Sequence, residues 1–519
     1  MDLTTSISLQ NCFRDIYFQS LITIAEAIFM LGPWRPHDQF QKWIEEQLLG
    51  LLPQREAQIK FHADALEKAY ILDLDLYKKL SLSRYSYTGR PAVNQPEIFR
   101  AIVLAKHYKE SITSFVKRLK ADDVLAIACG FWPGDIPGVA SFYDLFNRLW
   151  LAHSPAKVLR EPYKKKKKKL KANEKLPPDN PETVADLVER VLGGETFAHG
   201  PERLLQQILS ECAVKPSAKL NLLGDTQKLT LAGDGAPLET GANPFGKKVC
   251  QCKKQGIYRC SCPRSYSDPS ANWGWDSYHE HWFYGHTLYC LTAANSFNDL
   301  PLLIHLNQAS VHDSITFVPA YAQMRSLYPE FKFEKALLDS AHDAYAIYRM
   351  LNMHEIEPFI DLNERSKKNN SSEEIDRDGI PVCRNGLQMI RWGMHKRRLR
   401  IKWRCPKYTD PDSCPYRQSC STSKYGRVKY TRPEADYRLF TKTQRGSKAW
   451  KKAFARRSSV ERTLKRILVD YAIELERARS DKRWFWLATL AALNQHLDAQ
   501  IRVTKNLLQV RLGLKKQAA

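Results

Sequence analysis

The chain has 519 residues, of which 43% are hydrophobic and 11% aromatic. This composition excludes a disordered protein, and the length allows several domains that each bury a core. Lys and Arg outnumber Asp and Glu by 80 to 56, a formal net charge of +24, which favours nucleic acid as partner. The apolar run Leu21–Leu31 is too short to span a membrane and contains Glu26. We see no secretion signal, and expect a cytoplasmic protein with reduced thiols and no membrane partner.

Residues 1–160 are predicted to form an all-α region, because apolar residues recur at three- and four-residue spacing. Asn94 and Glu97 form a capping-box pattern at the start of one helix, and Ser111 precedes the next. Short helices with tight turns and surface lysines are typical of a helix-turn-helix DNA binder, but an ordinary helical bundle gives the same pattern. We therefore assign this region to DNA binding or dimerisation.

Residues 161–225 are predicted to be a basic linker that leads into helices. Six consecutive lysines, Lys164–Lys169, are followed by Pro177 and Pro178. Like charges repel and prolines cannot continue a helix, so this stretch is expected to be exposed. It is either a solvated spacer or an arm that grips phosphates.

Residues 226–365 change to a strand pattern. Alternating residues from Lys228 predict a strand that reaches Asp234, which lies between two glycines. Two more strands follow, and then a helix, a strand that ends at Asp339, a helix and a further strand. Three strands in series followed by parallel additions predict an α/β fold with a mixed sheet flanked by helices, in the order of an RNase H-like domain.

A third acid, Glu461, lies in the C-terminal helical part of this domain, residues 446–505. We predict that Ser458 or Ser459 caps its helix, and that Arg457, Glu461 and Lys465 share one helix face. A surface helix with salt bridges would show the same spacing.

The three acids together predict a catalytic site with two divalent ions. Phosphodiester transfer needs a deprotonated nucleophile and a neutralised leaving oxygen, which two Mg²⁺ (or Mn²⁺) ions on carboxylates supply. Asp234 would bridge both ions, and Asp339 and Glu461 would each complete one. Arg457 and Lys465 would contact a flanking phosphate.

Eight cysteines form two groups that predict structural Zn²⁺ sites in a reducing compartment. The first group is Cys250, Cys252, Cys260 and Cys262, and the second is Cys383, Cys405, Cys414 and Cys420. The other four are expected to be isolated and buried: Cys12, Cys129, Cys212 and Cys290. His279, Glu280 and His281 are interpreted as polar residues at a strand edge, because adjacent residues rarely bind one ion.

Residues 366–445 are predicted to be a basic, cysteine-containing insertion. Between Arg391 and Lys407 lie eight Lys or Arg, no acid, and two tryptophans, Trp392 and Trp403. This pattern favours a DNA clamp, although a solvated β-ribbon is the alternative. The residues predicted to contact DNA are Arg397, Arg398, Arg400 and Lys402.

Several segments resemble DDE transposases of bacterial insertion sequences over roughly residues 85–500: GRPAVNQPEIFRAIVLAK, GDGAPLETGAN, ALLDSAHDAYAIYRML, RGSKAW and FARRSSVERTLKRI. The resemblance implies that Asp234, Asp339 and Glu461 are the catalytic triad. The family's Tyr-x2-Arg-x3-Glu-x6-Lys signature falls on residues 454–468, but its Tyr and Lys positions are Phe454 and Leu468 here. Lys465 or Arg466 would then replace the lysine, and Asp343 is the rival for the second acid.

The resemblance further implies a transposase of a mobile genetic element that acts in the bacterial nucleoid. It would bind double-stranded DNA at the terminal inverted repeats, cleave the ends with Mg²⁺, and join the 3′-hydroxyls to target DNA. A homodimer on paired ends is the implied assembly. Two alternatives stay open: a metal-dependent nuclease of the same fold without strand transfer, and a catalytically silent DNA-binding protein.

Overall fold

The computed structural model describes residues 31–86, 88–152, 157–162, 182–363, 374–376 and 378–515. The lysine run Lys164–Lys169, the two prolines after it, Cys12 and residues 21–30 of the apolar run lie outside these ranges. Within them, the structure has no helix with both the length and the apolar character needed to cross a membrane.

The N-terminal region is helical, as predicted. Its helices are α1 (His37–Phe61), α2 (Ala63–Ile71), α3 (Asp75–Ser81), α4 (Gln95–His107), α5 (Ile112–Leu119), α6 (Asp123–Cys129) and α7 (Val139–Leu149), followed by a short strand, β1 (Val158–Arg160). The side chain of Ser111 accepts a hydrogen bond from the backbone of Ser114, which confirms this cap.

The capping box at Asn94 was a wrong prediction. Asn94 has a left-handed backbone and its side chain makes no capping hydrogen bond to α4. Glu97 does not reach back to the cap because it is buried, with Oε1 3.5 Å from Nη1 of Arg35. Its partner comes from outside the helix, and the sequence pattern does not show this.

The middle of the chain forms helices and a large mixed sheet. The helices are α8 (Val184–Leu192), α9 (Arg203–Leu209), α10 (Lys215–Lys219), α11 (Asp313–Leu327) and α12 (Tyr345–Met353). The strands are β2 (Leu229–Glu239), β3 (Lys247–Lys248), β4 (Arg264–Tyr266), β5 (Asn272–Asp276), β6 (His281–Ala293), β7 (Leu300–Gln308), β8 (Phe333–Leu338) and β9 (Glu357–Ile360). β1, β4 and β3 form a separate small sheet.

The large sheet has the order β5-β6-β2-β8-β9, and β7 pairs with the second half of β6. β6 is antiparallel to β2, β5 and β7, whereas β8 and β9 continue parallel to β2. The sheet confirms the predicted RNase H-like order. Helix α12 begins at Tyr345, after a 3₁₀ turn from Ser340 to His342.

The insertion is an antiparallel sheet of β10 (Ile390–His395), β11 (Arg400–Arg404) and β12 (Val428–Thr431) with a short helix, α13 (Arg417–Cys420). It has its own small hydrophobic cluster, centred on Met389, Ile401, Trp403 and Phe440. The chain then returns to the core in α14 (Lys448–Phe454), α15 (Ser458–Lys465), α16 (Asp481–Thr504) and α17 (Leu507–Arg511).

The main hydrophobic core is continuous from the N-terminal helices to the C-terminal ones. One cluster of buried side chains extends from Trp34 to Leu512. Helix α16 explains this continuity, because it contacts both α4 of the N-terminal region and β7 of the large sheet. The large sheet and the N-terminal helices thus share one core.

Candidate active site

Asp234 lies in the interior of β2, opposite Cys290 of β6, and its neighbours on both sides are glycines. These glycines are required by close packing. A Cβ atom at Gly233 would lie 2.6 Å from the hydroxyl of Tyr289, and one at Gly235 would lie 2.6 Å from Oδ1 of Asp313. The Gly-Asp-Gly pattern therefore leaves room for a hydroxyl and a carboxylate against the backbone on both sides of Asp234.

Asp339 directly follows β8, the parallel neighbour of β2, at the same position along the strands as Asp234. Ala232 pairs with Leu337, and each acid lies two residues further along its chain. Asp339 also caps the 3₁₀ turn that follows β8, since its Oδ1 accepts a hydrogen bond of 3.1 Å from the backbone of Ala341. The two carboxylates are thereby brought side by side.

A buried histidine fixes Asp339. Nδ1 of His342 lies 2.6 Å from Oδ1 of Asp339, and Nε2 lies 2.8 Å from the hydroxyl of Tyr289. Both His342 and Tyr289 are fully buried. This chain of three polar groups connects β6, the turn after β8 and the acid, so it determines where the Asp339 carboxylate lies.

Glu461 comes to the site on α15, which packs against β6 and β2. One guanidinium connects this helix to the first acid. Nη1 of Arg457 donates a hydrogen bond of 3.1 Å to Oδ2 of Asp234, and Nη2 donates to Oε1 of Glu461. Arg457 thus holds the carboxylates of β2 and α15 on either side of a single positive charge.

The site concentrates negative charge, and the pKa values reflect it. Burial raises the pKa of Asp234, and the adjacent charge of Asp339 raises it further, against the opposing effect of Arg457. Burial likewise raises the pKa of Asp313 to about 6, with Asp234 and Asp339 adding to the effect. Burial alone would raise the pKa of Asp339, but the hydrogen bond and charge of His342 outweigh it and the pKa is lowered.

The donor set fits a divalent cation of the Mg²⁺ class. Such ions prefer carboxylate oxygens held on rigid elements, and here they come from a strand interior, a strand end and a helix. The Arg457 guanidinium already lies between two of these acids, so the geometry accommodates a positive charge there.

Asp343, the rival for the second acid, is engaged elsewhere. Its carboxylate forms a bidentate pair with Arg438, with distances of 2.7 Å from Nε and 2.6 Å from Nη2. It also accepts hydrogen bonds from the hydroxyl of Tyr348 and the backbone of Asn363. Asp343 therefore attaches the last part of the insertion to the core.

Three further arginines near Glu461 hold α15 in place. Arg456 donates to the carbonyls of residues 294 and 296, Arg462 pairs with Asp299 at 2.6 Å, and Arg466 donates to the carbonyls of residues 298 and 299. All of these acceptors lie in the turn between β6 and β7. Arg466 is consequently occupied by a structural contact, whereas Lys465 is exposed one turn after Glu461.

Three details around Glu461 differ from the sequence expectation or concern the departures from the family signature. Neither Ser458 nor Ser459 caps α15, because the chain continues into it from α14 through a 3₁₀ turn, and the preceding residues supply the carbonyls. Phe454 stacks on Trp450 with ring centroids 4.4 Å apart. Leu468 packs against the core.

Sequence reasoning missed Asp313, His342 and Tyr289 as parts of this site. The spacing of His342, three residues after Asp339, is compatible with a turn contact and was the only available signal. Asp313 lies in the first turn of α11 and Tyr289 on β6, and only the assembled sheet places them beside β2.

Comparison with known families agrees with this geometry. Residues 248–494 match the family described as transposase DDE domain. This part of the chain is therefore similar to a transposase DDE domain. The match includes Asp339 and Glu461 and begins just after the strand that carries Asp234. No curated protein matches the chain.

The first cysteine group, which lies within the matched segment, is assembled. Its four sulfurs all lie within 4.8 Å of one another, with Cys250 and Cys260 3.5 Å apart and Cys252 and Cys262 3.6 Å apart. These distances are too long for a disulfide and near the roughly 3.8 Å edge of a tetrahedron with Zn–S bonds of about 2.3 Å. The thiolate set thus fits Zn²⁺.

The second group is less compact in the part of the chain that the structure describes. Cys405, Cys414 and Cys420 line one small cavity, and Cys383 packs beside the hydrophobic cluster of the insertion. Outside both groups, Cys129, Cys212 and Cys290 are buried, as expected.

The basic insertion exposes one of its two tryptophans. Trp392 is 48% exposed, and the guanidinium of Arg404 lies 3.6 Å from its ring centroid. Trp403, in contrast, is buried, and its indole nitrogen donates a hydrogen bond to Thr431. Side chains alternate along β11, so Ile401 and Trp403 face the cluster; Trp403 is not available for stacking on DNA, contrary to expectation.

Proposed function

We propose that this protein is a DNA transposase that cleaves the ends of its element and joins the 3′-hydroxyls to target DNA. The observation that carries this proposal is the Arg457 guanidinium, which holds the acid of β2 and the acid of α15 together beside Asp339. Two acids that are distant in sequence share this guanidinium, and the matched family supports the reaction class.

The proposed catalytic residues are Asp234, Asp339 and Glu461, which would hold Mg²⁺ or Mn²⁺. The bound ions supply a deprotonated nucleophile and neutralise the leaving 3′-oxygen. His342 keeps the Asp339 carboxylate in the orientation set by Tyr289. Arg457, released from its carboxylates as cations bind, would contact a DNA phosphate.

DNA contacts are proposed on three surfaces. Lys465 is exposed beside Glu461 and would contact the flanking phosphate. The insertion would grip the backbone with its basic residues, of which Arg397 and Arg398 are exposed while Arg400 and Lys402 are half-buried. Residues 1–160 would recognise the terminal inverted repeats, and 161–225 would connect them to the catalytic core at 226–365 and 446–505. A homodimer on paired ends within the bacterial nucleoid is the assembly that the resemblance favours.

Zinc is proposed as a structural ion at Cys250, Cys252, Cys260 and Cys262. This loop lacks a hydrophobic cluster of its own, and a closed tetrahedral ion would hold it in place. Cys405, Cys414, Cys420 and Cys383 are proposed as a second zinc site, which would form as the ion draws the fourth thiolate toward the other three.

The deciding experiment incubates the purified protein and Mg²⁺ with a DNA fragment that carries its gene and both flanks. We expect paired cuts at fixed flanking positions and joined products. Asp234→Asn, Asp339→Asn and Glu461→Gln should each abolish both products, whereas the exposed matched control Asp144→Asn should retain them.

Other outcomes distinguish the alternatives. Cuts without fixed ends or joined products would indicate a metal-dependent nuclease of the same fold. DNA binding without cleavage in either Mg²⁺ or Mn²⁺ would indicate a catalytically silent DNA-binding protein. Activity that survives the three substitutions would refute the site itself.

A further inference from the structure

The hairpin between β5 and β6 brings together three side chains that can bind a metal. Asp276 pairs directly with His281 across the two strands, so both lie on one face of the hairpin. The next pair, Trp275 and Trp282, lies on the opposite face, with ring centroids 5.4 Å apart. His279 lies in the connecting loop between Asp276 and His281.

The loop geometry directs His279 toward Asp276. The backbone N–H groups of Tyr278 and His279 donate hydrogen bonds of 2.9 and 3.2 Å to Oδ1 of Asp276. Oδ2 of the same carboxylate lies 2.7 Å from Nδ1 of His279. Asp276 is itself buried, so its position is determined by the hairpin rather than by solvent.

The second imidazole completes the cluster. Glu280 has a left-handed backbone with φ of +53°, which reverses the chain between the two histidines. Their ring centroids are 5.9 Å apart, and one donor atom each from Asp276, His279 and His281 lie within 4.8 Å of one another. Three donors of two chemical types therefore face one small volume.

We propose that Asp276, His279 and His281 form a binding site for a divalent transition metal ion of the Zn²⁺ class. Two imidazoles and one carboxylate suit such an ion better than Mg²⁺, which prefers oxygen ligands. Ligation through Nδ1 of His279 requires this nitrogen to carry no proton, so the ring proton of the metal-bound imidazole lies on Nε2. Both histidines are exposed, so a coordination position stays open to solvent.

This site is separate from the DDE carboxylates. His281 begins β6, and Cys290, the partner of Asp234, comes nine residues later on the same strand. An extended strand covers about 30 Å over that length. The hairpin site also shares no ligand with the Cys250–Cys262 group. Occupation of the hairpin site therefore does not require an occupied active site, and the inference does not rest on the proposed function.

The test is a calorimetric titration of the full-length protein with Zn²⁺, after its cysteine sites have been saturated with zinc and in excess Mg²⁺ to occupy the carboxylates. We expect one further equivalent to bind to the wild type. His281→Gln and His279→Gln should lose it. His395→Gln, which removes an exposed histidine of the insertion, should keep it. Asp276→Asn removes the negative charge of a ligand but nearly preserves its shape, and should weaken binding.

A second measurement separates ligation from folding. With Co²⁺ in place of the added Zn²⁺, the visible spectrum should show nitrogen and oxygen coordination without a thiolate charge-transfer band, and His281→Gln should lose these bands while its melting temperature without metal stays unchanged. Equal stoichiometry and affinity in the wild type and in the double variant of both histidines would overturn the proposal, as would a thiolate band from the added ion.

Discussion

The positive charge of Arg457 reduces the repulsion among three neighbouring acids. Its side chain is 22% exposed, and it is bonded to both Asp234 and Glu461. In the absence of a divalent cation, this guanidinium is the positive charge that compensates the pair.

We therefore expect Arg457→Leu to lower the melting temperature in EDTA, with a cost of about 1–3 kcal/mol for the unpaired acids. Mg²⁺ should restore more of the lost stability in this variant than it adds to the wild type, because the ion no longer competes with the arginine. Thermal melting with and without Mg²⁺ measures both effects. Lys465→Leu, on the same helix, is the control and should respond to Mg²⁺ as the wild type does.

Asp313 should make stability depend on pH. Its pKa is raised from 3.8 to about 6 in the folded protein, chiefly by burial. The folded state therefore binds this proton more tightly than the unfolded state does, and the associated stability is present below pH 3.8 and lost as the pH rises through about 6. Asp313→Asn cannot ionise, so it should be more stable than the wild type in EDTA above that window, by roughly 1–3 kcal/mol.

Melting temperatures at about pH 7.5 and about pH 5 measure this effect. The advantage of Asp313→Asn should shrink at the lower pH. An advantage that is the same at both pH values, or that the exposed control Asp144→Asn also shows, would contradict the assignment.

His342 is expected to act as a positioning residue for Asp339. His342→Gln should lower the rate of strand cleavage about 10–100-fold, because a ligand carboxylate loses its orienting partner. DNA affinity should not change. Tyr289→Phe keeps the ring but leaves Nε2 of His342 without its hydroxyl partner, and should have a smaller effect on the rate. Single-turnover cleavage and binding isotherms separate these effects; an equal loss of DNA binding would indicate a general structural role.

At the scale of elements, α15 is held against the sheet by arginines rather than by a cap. Arg456, Arg462 and Arg466 all contact the turn between β6 and β7. Asp299, the buried acid of that turn, accepts from Arg462. The position of Glu461 therefore depends on the shape of a turn that precedes it by more than 160 residues.

Arg462→Ala should cost about 1–3 kcal/mol in stability, because it removes the 2.6 Å partner of buried Asp299. It should also lower cleavage activity, since α15 loses part of its attachment, while DNA binding is retained. Chemical denaturation and cleavage assays check these results. Lys465→Ala on the same helix should leave stability unchanged, and a comparable loss there would show that the effect is not specific to the turn.

At the scale of the whole molecule, a buried lysine joins the N-terminal helices to the C-terminal helix. Nζ of Lys68 on α2 lies 2.7 Å from Oδ1 of Asp498, and it donates hydrogen bonds to Asn494 and Tyr471. Burial lowers its pKa, and the charge of Asp498 opposes this effect. These contacts cross the same interface as the continuous hydrophobic core.

We expect Lys68→Ala to destabilise the protein by about 1–3 kcal/mol, because it leaves the buried amide oxygen of Asn494 without its donor. If the N-terminal helices and the large sheet unfold together, the midpoint of a single unfolding transition should shift to a lower denaturant concentration. Denaturation followed by circular dichroism and by tryptophan fluorescence should give coincident curves in the wild type and in the variant. Lys78→Ala, on the following helix, is the comparison. A separate early transition in Lys68→Ala would show that the two regions unfold independently.

Local sequence patterns correctly predicted the order of the strands and the compact cysteine group, and they selected the three acids as candidates. These features depend on local spacing: alternation along β2, an acid at the end of β8, and thiols within one short loop. The same spacing rules were wrong at Asn94 and at Ser458, because the partners of Glu97 and the carbonyls before α15 come from other elements.

Tertiary contacts determine what surrounds the acids, and local sequence does not show them. Asp313, Tyr289 and His342 come from three separate elements, and no local pattern shows that they meet beside β2. Asp343, which its spacing from Asp339 left as a rival ligand, pairs with Arg438 in the structure. The hairpin cluster of Asp276 and two histidines likewise depends on cross-strand register, which is a property of paired strands rather than of either strand alone.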